Sequence, residues 1–179
     1  FDGKDFEFIT EGGITSVTAL FTDSKGRLLI GTNDNGIAIY ENGKFTFLSA
    51  NDGLSANSVR CFTEADDGSI YVGTTDRISK MSPDGKITVL EASVTYVNSM
   101  VYDNGRLICV NIYGELVVVE NDKNEKTYTS DIENADFTCV DKNGDDIFVG
   151  TSTDTFEKIS VTEKGFFVID RKSDSELVS

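Results

Sequence analysis

An all-β fold made of four copies of one antiparallel, four-stranded unit is what the 179-residue sequence predicts. Three observations carry that expectation. One pattern recurs at steps of 42, 38 and 40 residues, measured between Val17, Val59, Val97 and Phe137, and such a period is the mark of stacked repeats. Within each copy, short β-branched and aromatic runs are separated by Asp, Asn and Gly clusters, the chemistry of strands joined by hairpin turns. Nowhere does a 3.6-residue apolar period last for the ten or so residues of a helix.

In the first copy, Ser16-Val17-Thr18-Ala19-Leu20-Phe21 leads through Asp23-Ser24-Lys25-Gly26 into Arg27-Leu28-Leu29-Ile30-Gly31-Thr32. The second repeats this as Ser58-Val59-Arg60-Cys61-Phe62, Asp66-Asp67-Gly68 and Ser69-Ile70-Tyr71-Val72-Gly73-Thr74. The third reads Tyr96-Val97-Asn98-Ser99-Met100-Val101, Asp103-Asn104-Gly105, Arg106-Leu107-Ile108-Cys109-Val110, and the fourth Phe137-Thr138-Cys139-Val140, Asp141-Lys142-Asn143-Gly144, Ile147-Phe148-Val149-Gly150-Thr151. Four strands are expected per copy; in the first they are Val17 to Thr22, Arg27 to Gly31, Gly36 to Tyr40 and Lys44 to Leu48. In the second, Ser82-Pro83-Asp84-Gly85 precedes the last strand, Lys86 to Leu90, and the lone proline takes the second turn position, which its fixed φ suits. Gly31, Gly73 and Gly150 end second strands, where a close backbone approach or a positive φ is expected.

Second strands such as Leu28-Leu29-Ile30 and Leu107-Ile108-Cys109-Val110 are apolar without alternation, so both of their faces must be covered. Four-stranded sheets stacked on two neighbours around a channel satisfy this, and the predicted architecture is a β-propeller of about four blades, a fragment of a larger one. The expected division is an outer strand of a preceding blade in residues 1–10, with Phe6, Phe8 and Ile9, then blades over 11–50, 51–91, 92–130 and 131–170, and a tail over 171–179. Phe166, Phe167, Val168 and Ile169 are read as the outer strand of the fourth blade. Apolar faces at both ends of such an arc predict self-association or contact with the rest of the propeller.

Charge narrows the function. With 16 Lys and Arg against 31 Asp and Glu the chain carries a net charge of −15, which repels phosphate, so neither nucleic acid nor an anionic membrane surface is an expected partner. No histidine is present, which removes His-based triads and His-ligated zinc. Cys61, Cys109 and Cys139 sit in apolar runs without a Cys-x-x-Cys spacing and read as buried free thiols. No apolar stretch approaches the length of a membrane-spanning helix, and no signal segment opens the chain. Starting at Phe1 and trailing off over Asp174 to Ser179, it reads as a piece of a longer protein.

Gly53-Leu54-Ser55-Ala56-Asn57-Ser58-Val59-Arg60, followed by Asp67-Gly68-Ser69-Ile70-Tyr71-Val72-Gly73-Thr74, resembles the two-component regulator propeller repeat of bacterial sensors. Gly13-Ile14, Gly26, Gly31-Thr32 and Gly36-Ile37 match the same pattern in the first copy, while copies three and four lack the Gly-Leu-Ser opening. The resemblance covers roughly residues 11 to 160. It implies a sensor region outside the cytoplasm, periplasmic or at the cell surface, in a membrane-anchored receptor whose family members commonly sense glycans. It implies a ligand-binding module without chemistry of its own; the alternatives are a propeller carbohydrate-active enzyme and an adhesive surface repeat.

Ligands of propellers meet the loops leading into innermost strands and those joining second to third strands, which cluster at one mouth of the channel. Here these loops carry Asn57, Ser58, Arg60, Tyr96, Asn98, Asn134 and Asp136, with Asn33, Asp34, Asn35, Asp76, Arg77, Asn111 and Tyr113 beside them. Asn57, Arg60, Tyr96, Asn98, Asp76, Arg77 and Tyr113 are the ligand-binding candidates, for a small molecule or a glycan. Arg60 stands out as a cation inside an apolar and acidic run. Phe62, Tyr71, Tyr102 and Phe148 read as core aromatics, Tyr96 and Tyr113 as exposed ones beside turns. The Asp141-Lys142-Asn143-Gly144-Asp145-Asp146 segment offers hard oxygens but lacks a closing glutamate and reads as a hairpin turn, so no metal and no cofactor are expected. No pair of carboxylates stands out as a catalytic couple.

Overall fold

A computed structural model describes residues 14–153, 155–162 and 165–173. Phe6, Phe8 and Ile9 lie outside the described residues. Among the described residues, sixteen strands form four antiparallel sheets. The first holds β1 (Val17–Thr22), β2 (Leu28–Thr32), β3 (Ile37–Glu41) and β4 (Lys44–Leu48); the second β5 (Val59–Glu64), β6 (Ile70–Thr74), β7 (Ile78–Met81) and β8 (Ile87–Val89). The third holds β9 (Val97–Asp103), β10 (Arg106–Asn111), β11 (Leu116–Glu120) and β12 (Asn124–Tyr128); the fourth β13 (Phe137–Asn143), β14 (Asp146–Thr151), β15 (Thr155–Thr162) and β16 (Gly165–Ser173). Each sheet is a meander in sequence order. The last strand runs to Ser173, into the stretch read as tail, because Arg171 pairs with Asp131 and Glu157 and Thr155 pairs with Ser173.

The sheets stack in a row as propeller blades. First strands contact one another in the series β1, β5, β9, β13, so these edges are innermost, while the outer β4 and β12 are mostly exposed and β8 is half-buried. Apolar side chains of each middle strand divide between two interfaces. On β10, Leu107 and Cys109 pack toward the second sheet with Tyr71, Ile78 and Val97, whereas Ile108 and Val110 pack toward the fourth with Phe137, Val140 and Val149. A third cluster, with Leu29, Ile37, Leu54, Val59, Phe62 and Val72, joins the first and second sheets. This two-sided packing is why the middle strands show no polar alternation.

At the end of the row the same positions are uncovered. Val59 and Phe62 on β5 are 0% and 8% exposed, yet their β1 counterparts Val17 and Leu20 are 51% and 66% exposed. The far face of the fourth sheet explains a departure from the sequence reading: Cys139 is exposed, while Cys109 is buried and Cys61 partly so, all three as free thiols. Burial pushes the Cys61 thiol up to about 12, and the adjacent Arg60 charge only partly offsets it.

Gly31, Gly73 and Gly150 owe their identity to close approach and not to a positive φ. A Cβ on Gly73 would lie 2.5 Å from Cys61 Sγ and 3.1 Å from Val97 Cβ, and one on Gly31 2.7 Å from Val59 Cγ1. The third copy carries Val110 at this place, where the facing residue is the smaller Ser99, whose hydroxyl donates to Val140 O and accepts from Val140 N.

Buried carboxylates close two of the first hairpins. Asp23 accepts from the backbone N–H groups of Lys25 and Arg27 and pairs with the Arg27 guanidinium at 2.7 Å. Asp103 pairs with Lys142 of the next sheet at 2.6 Å and with Arg106 at 3.4 Å. Burial alone would raise the Asp103 carboxyl, but hydrogen bonds from Lys142 and Asn104 and the Lys142 and Arg106 charges outweigh it and hold it below the usual value; Asp23 is lowered in the same way by Arg27 and Lys25. A carboxylate whose folded value is depressed contributes stability that is full above its unfolded value and is lost as pH falls through the folded one. The urea midpoint should therefore drop steadily below about pH 4, and Asp103→Asn should be less stable at pH 7 with a flatter acid limb. Parallel acid limbs for the variant and the parent would show that Asp103 does not contribute this way.

Candidate functional site

One end of the propeller is assembled by a backbone contact repeated in all four blades. The residue after each second strand donates its N–H to the residue before the first strand: Asn33 to Ser16 O at 3.0 Å, Thr75 to Ser58 O at 3.1 Å, Ile112 to Tyr96 O at 3.1 Å and Ser152 to Asp136 O at 2.8 Å. The loops leading into the innermost strands and the loops joining second to third strands therefore share one mouth. The residue before each such donor closes its own loop. Thr32, Thr74 and Thr151 donate hydroxyls to Gly36 O, Arg77 O and Thr155 O, and Asn111 Oδ1 accepts from the N–H groups of Tyr113 and Glu115.

Each innermost strand also carries a β-bulge at the same place. The register shifts between Val17 and Ala19, between Val59 and Cys61, opposite Val110 and Asn111, and between Phe137 and Cys139. The extra residues are Thr18, Arg60, Asn98 and Thr138, and a bulge re-aims its side chain relative to the pleat. Sequence reading found Arg60 and Asn98 but missed Thr18 and Thr138, because the one-residue slip opposite the Gly-Thr dipeptides shows only in the strand pairing.

Arg60 and Asn98 meet across two innermost strands. Nε and one terminal nitrogen of Arg60 donate to Asn98 Oδ1 at 2.9 and 2.5 Å. Of the five arginines, Arg27, Arg77, Arg106 and Arg171 each have a carboxylate within 4.0 Å. Arg60 has none among the described residues; an amide partner leaves its charge uncompensated and part of its five-donor fork open. In the loops of the same mouth, Tyr96 and Tyr113 are 39% and 58% exposed and meet edge-on, with centroids 6.1 Å apart. Tyr113 also lines a polar pocket of about 140 Å³ with Asn111, Glu115 and Glu125.

Tyr96 holds φ at +51°. A bulky residue in the left-handed region is strained by roughly 1–3 kcal/mol, and such strain concentrates at functional sites. Asn accepts this conformation readily, so Tyr96→Asn should melt at or above the temperature of the parent while losing ligand affinity. A melting temperature several degrees lower would make the ring a core element instead.

The other candidates separate. Asp76 and Arg77 lie together in the exposed β6–β7 loop, 4.0 Å apart. Asn57 is occupied elsewhere: its Oδ1 accepts from Ala50 N at 2.7 Å, holding the 3₁₀ turn Ala50–Asp52. The Asp141 segment is the β13–β14 hairpin. Phe62 and Tyr71 are buried in blade interfaces, and Tyr102 and Phe148 are half-buried.

Residues 53–76 match the family model for the two component regulator propeller, so the chain carries a repeat of that family. The match spans the motif that the geometry accounts for residue by residue. Gly53 ends the 3₁₀ turn at φ +111°, Leu54 fills the interface between the first two blades, and Ser55 pins the linker to Ser79, Thr74 and Arg77. Among solved structures, the chain is similar to the extracellular domain assigned to a hybrid two-component system of B. thetaiotaomicron, at 20% identity and a TM-score of 0.71, over 90% of this chain and 25% of that one. It is also similar to virginiamycin B lyase of Staphylococcus aureus (13% identity, TM-score 0.66, 87% and 54% of the two chains). A third is the Cps50 (Swd1) β-propeller domain of Myceliophteria thermophila, at 10% identity and a TM-score of 0.69, over 92% and 58%. The chain thus spans about a quarter of the length of the extracellular domain it matches. No curated protein matches it.

Proposed function

We propose that this chain is part of the extracytoplasmic sensor propeller of a bacterial signal-transduction receptor, and that it binds a glycan or small molecule at the loop-rich mouth without transforming it. The observation that carries this reading is Arg60, a cation with no carboxylate partner among the described residues of a chain of net charge −15, bonded to the Asn98 amide at the mouth whose loops also carry the exposed Tyr96 and Tyr113 rings. A guanidinium fork suits a carboxylate or paired hydroxyls, an amide adds directional donors, and tyrosine faces suit the apolar face of a sugar ring. The repeat family and the extracellular two-component neighbour support the receptor setting.

The likeness to virginiamycin B lyase raises an enzymatic alternative. One solved form of that lyase is catalytically inactive through a histidine-to-alanine substitution, whereas the present chain has no histidine to supply such a group. An array of neutral and uronic-acid oligosaccharides, followed by product analysis, tests the proposal. Retained ligand with no released product is the expected result, and turnover would favour the enzyme.

A further inference from the structure

The Gly-Leu-Ser motif of the second copy fills a specific slot between a linker and the third strand of its blade. Leu54 is buried there, Ser55 N donates to Ser79 Oγ at 2.9 Å, and Ser55 Oγ donates to Arg77 O at 2.7 Å. Register identifies the same slot in the later blades: Ser79 pairs opposite Val72, Val117 opposite Cys109, and Glu157 opposite Val149. Copies three and four lack the motif, and both slots are open. The third is the pocket of about 140 Å³ over Val117, and the fourth is a cavity of about 390 Å³ over Glu157.

The fourth slot is chemically distinct. Its lining includes Phe137, Phe166, Phe167, Asp131 and Glu157, and Glu157 is fully buried. Glu157 Oε1 accepts from Arg171 Nε at 2.8 Å and from a terminal Arg171 nitrogen at 2.7 Å, and Arg171 also pairs with Asp131. Glu157 Oε2 has no hydrogen-bond partner among the described residues. A buried carboxylate oxygen without a donor is strongly unfavourable, and native structures normally supply one. Two carboxylates against one guanidinium leave the slot with an excess negative charge, and its apolar lining is three phenylalanines and Val168.

We infer that the slot between the linker into the fourth blade and the third strand of that blade is a binding site for a small organic ammonium ion with an apolar body, whose N–H donates to Glu157 Oε2 while its hydrocarbon part lies against Phe137, Phe166 and Phe167. The charge excess selects an ammonium over an alcohol of the same shape, and aromatic faces add to that preference. None of its lining residues is among Arg60, Asn98, Tyr96 and Tyr113, and its chemistry is opposite in sign.

The test is an amide chemical-shift titration of the intact chain with benzylammonium chloride, benzyl alcohol and sodium benzoate. Benzylammonium should bind saturably in the millimolar range expected of a fragment of about eight heavy atoms, with shifts centred on Asp131 and on residues 166–168. Benzyl alcohol should bind at least ten-fold more weakly, and benzoate not at all. Glu157→Gln should lose the preference for the ammonium. Should that variant fail to fold, Thr129→Trp keeps the test decisive, because Thr129 is exposed at the rim and an indole there should block the probe without touching the Glu157–Arg171 pair. Equal binding of alcohol and ammonium, shifts elsewhere, undiminished binding by Thr129→Trp, or no saturable binding of benzylammonium would overturn the site; in the last case a buried water is the donor to Oε2.

Discussion

Gly73→Val should lower stability by about 3 kcal/mol, the upper part of the range for overpacking a rigid core. Its φ is ordinary, so the loss is one of space. The new side chain would have to displace Cys61 Sγ and the Val97 side chain, which belong to the innermost strands of two successive blades, so no single rotamer change relieves both. For a domain of this size the melting temperature should fall by roughly 6–12 °C. Thr46→Val on the exposed outer strand β4 is the control and should stay within about 0.5 kcal/mol of the parent. If the two variants melted within a degree of each other, the blade contact at Gly73 would not be as close as described.

Leu54→Ala should be comparably severe, at about 2–4 kcal/mol, as expected for truncating a buried leucine in a packed interface. Leu54 lies on a linker rather than a strand, yet it packs with Leu29, Ile37, Val59 and Val72 of two different sheets. Its removal leaves a void that neither sheet can close without breaking the Ser55 contacts to Ser79 and Arg77. Denaturant unfolding should show a lower midpoint with an unchanged slope. A changed slope would mean that the two blades separate as independent units.

The repeat, the strand positions and the two-sided burial of the middle strands were legible because they follow from local patterns: turn residues at fixed offsets and apolar runs without alternation. The glycines were legible as special positions, but sequence could not distinguish close approach from positive φ, since that depends on Cys61, Val97 and Val59 arriving from neighbouring strands. Cys139 read as buried because its run matches Cys61, and only the uncovered face of the fourth sheet exposes it. Asn57 read as a ligand residue because its motif lies near the mouth, whereas its amide serves a local turn. The bulges at Thr18, Arg60, Asn98 and Thr138 insert one residue against a partner strand, and a one-dimensional pattern does not record pairing. Glu157 gave no sign at all, because its burial depends on register with Val149 and on Arg171 from the following strand.

Two arginines at the same mouth provide the most direct test. Arg77 is exposed and faces Asp76 in the β6–β7 loop, whereas Arg60 reaches across innermost strands to Asn98 without a carboxylate partner among the described residues. Calorimetric titration of the strongest array ligand into the parent, Arg60→Gln and Arg77→Gln should show affinity reduced at least ten-fold for Arg60→Gln and nearly unchanged for Arg77→Gln, with all three melting alike. Full affinity in Arg60→Gln, or an equal loss in both variants, would contradict the placement of the ligand at the Arg60 mouth.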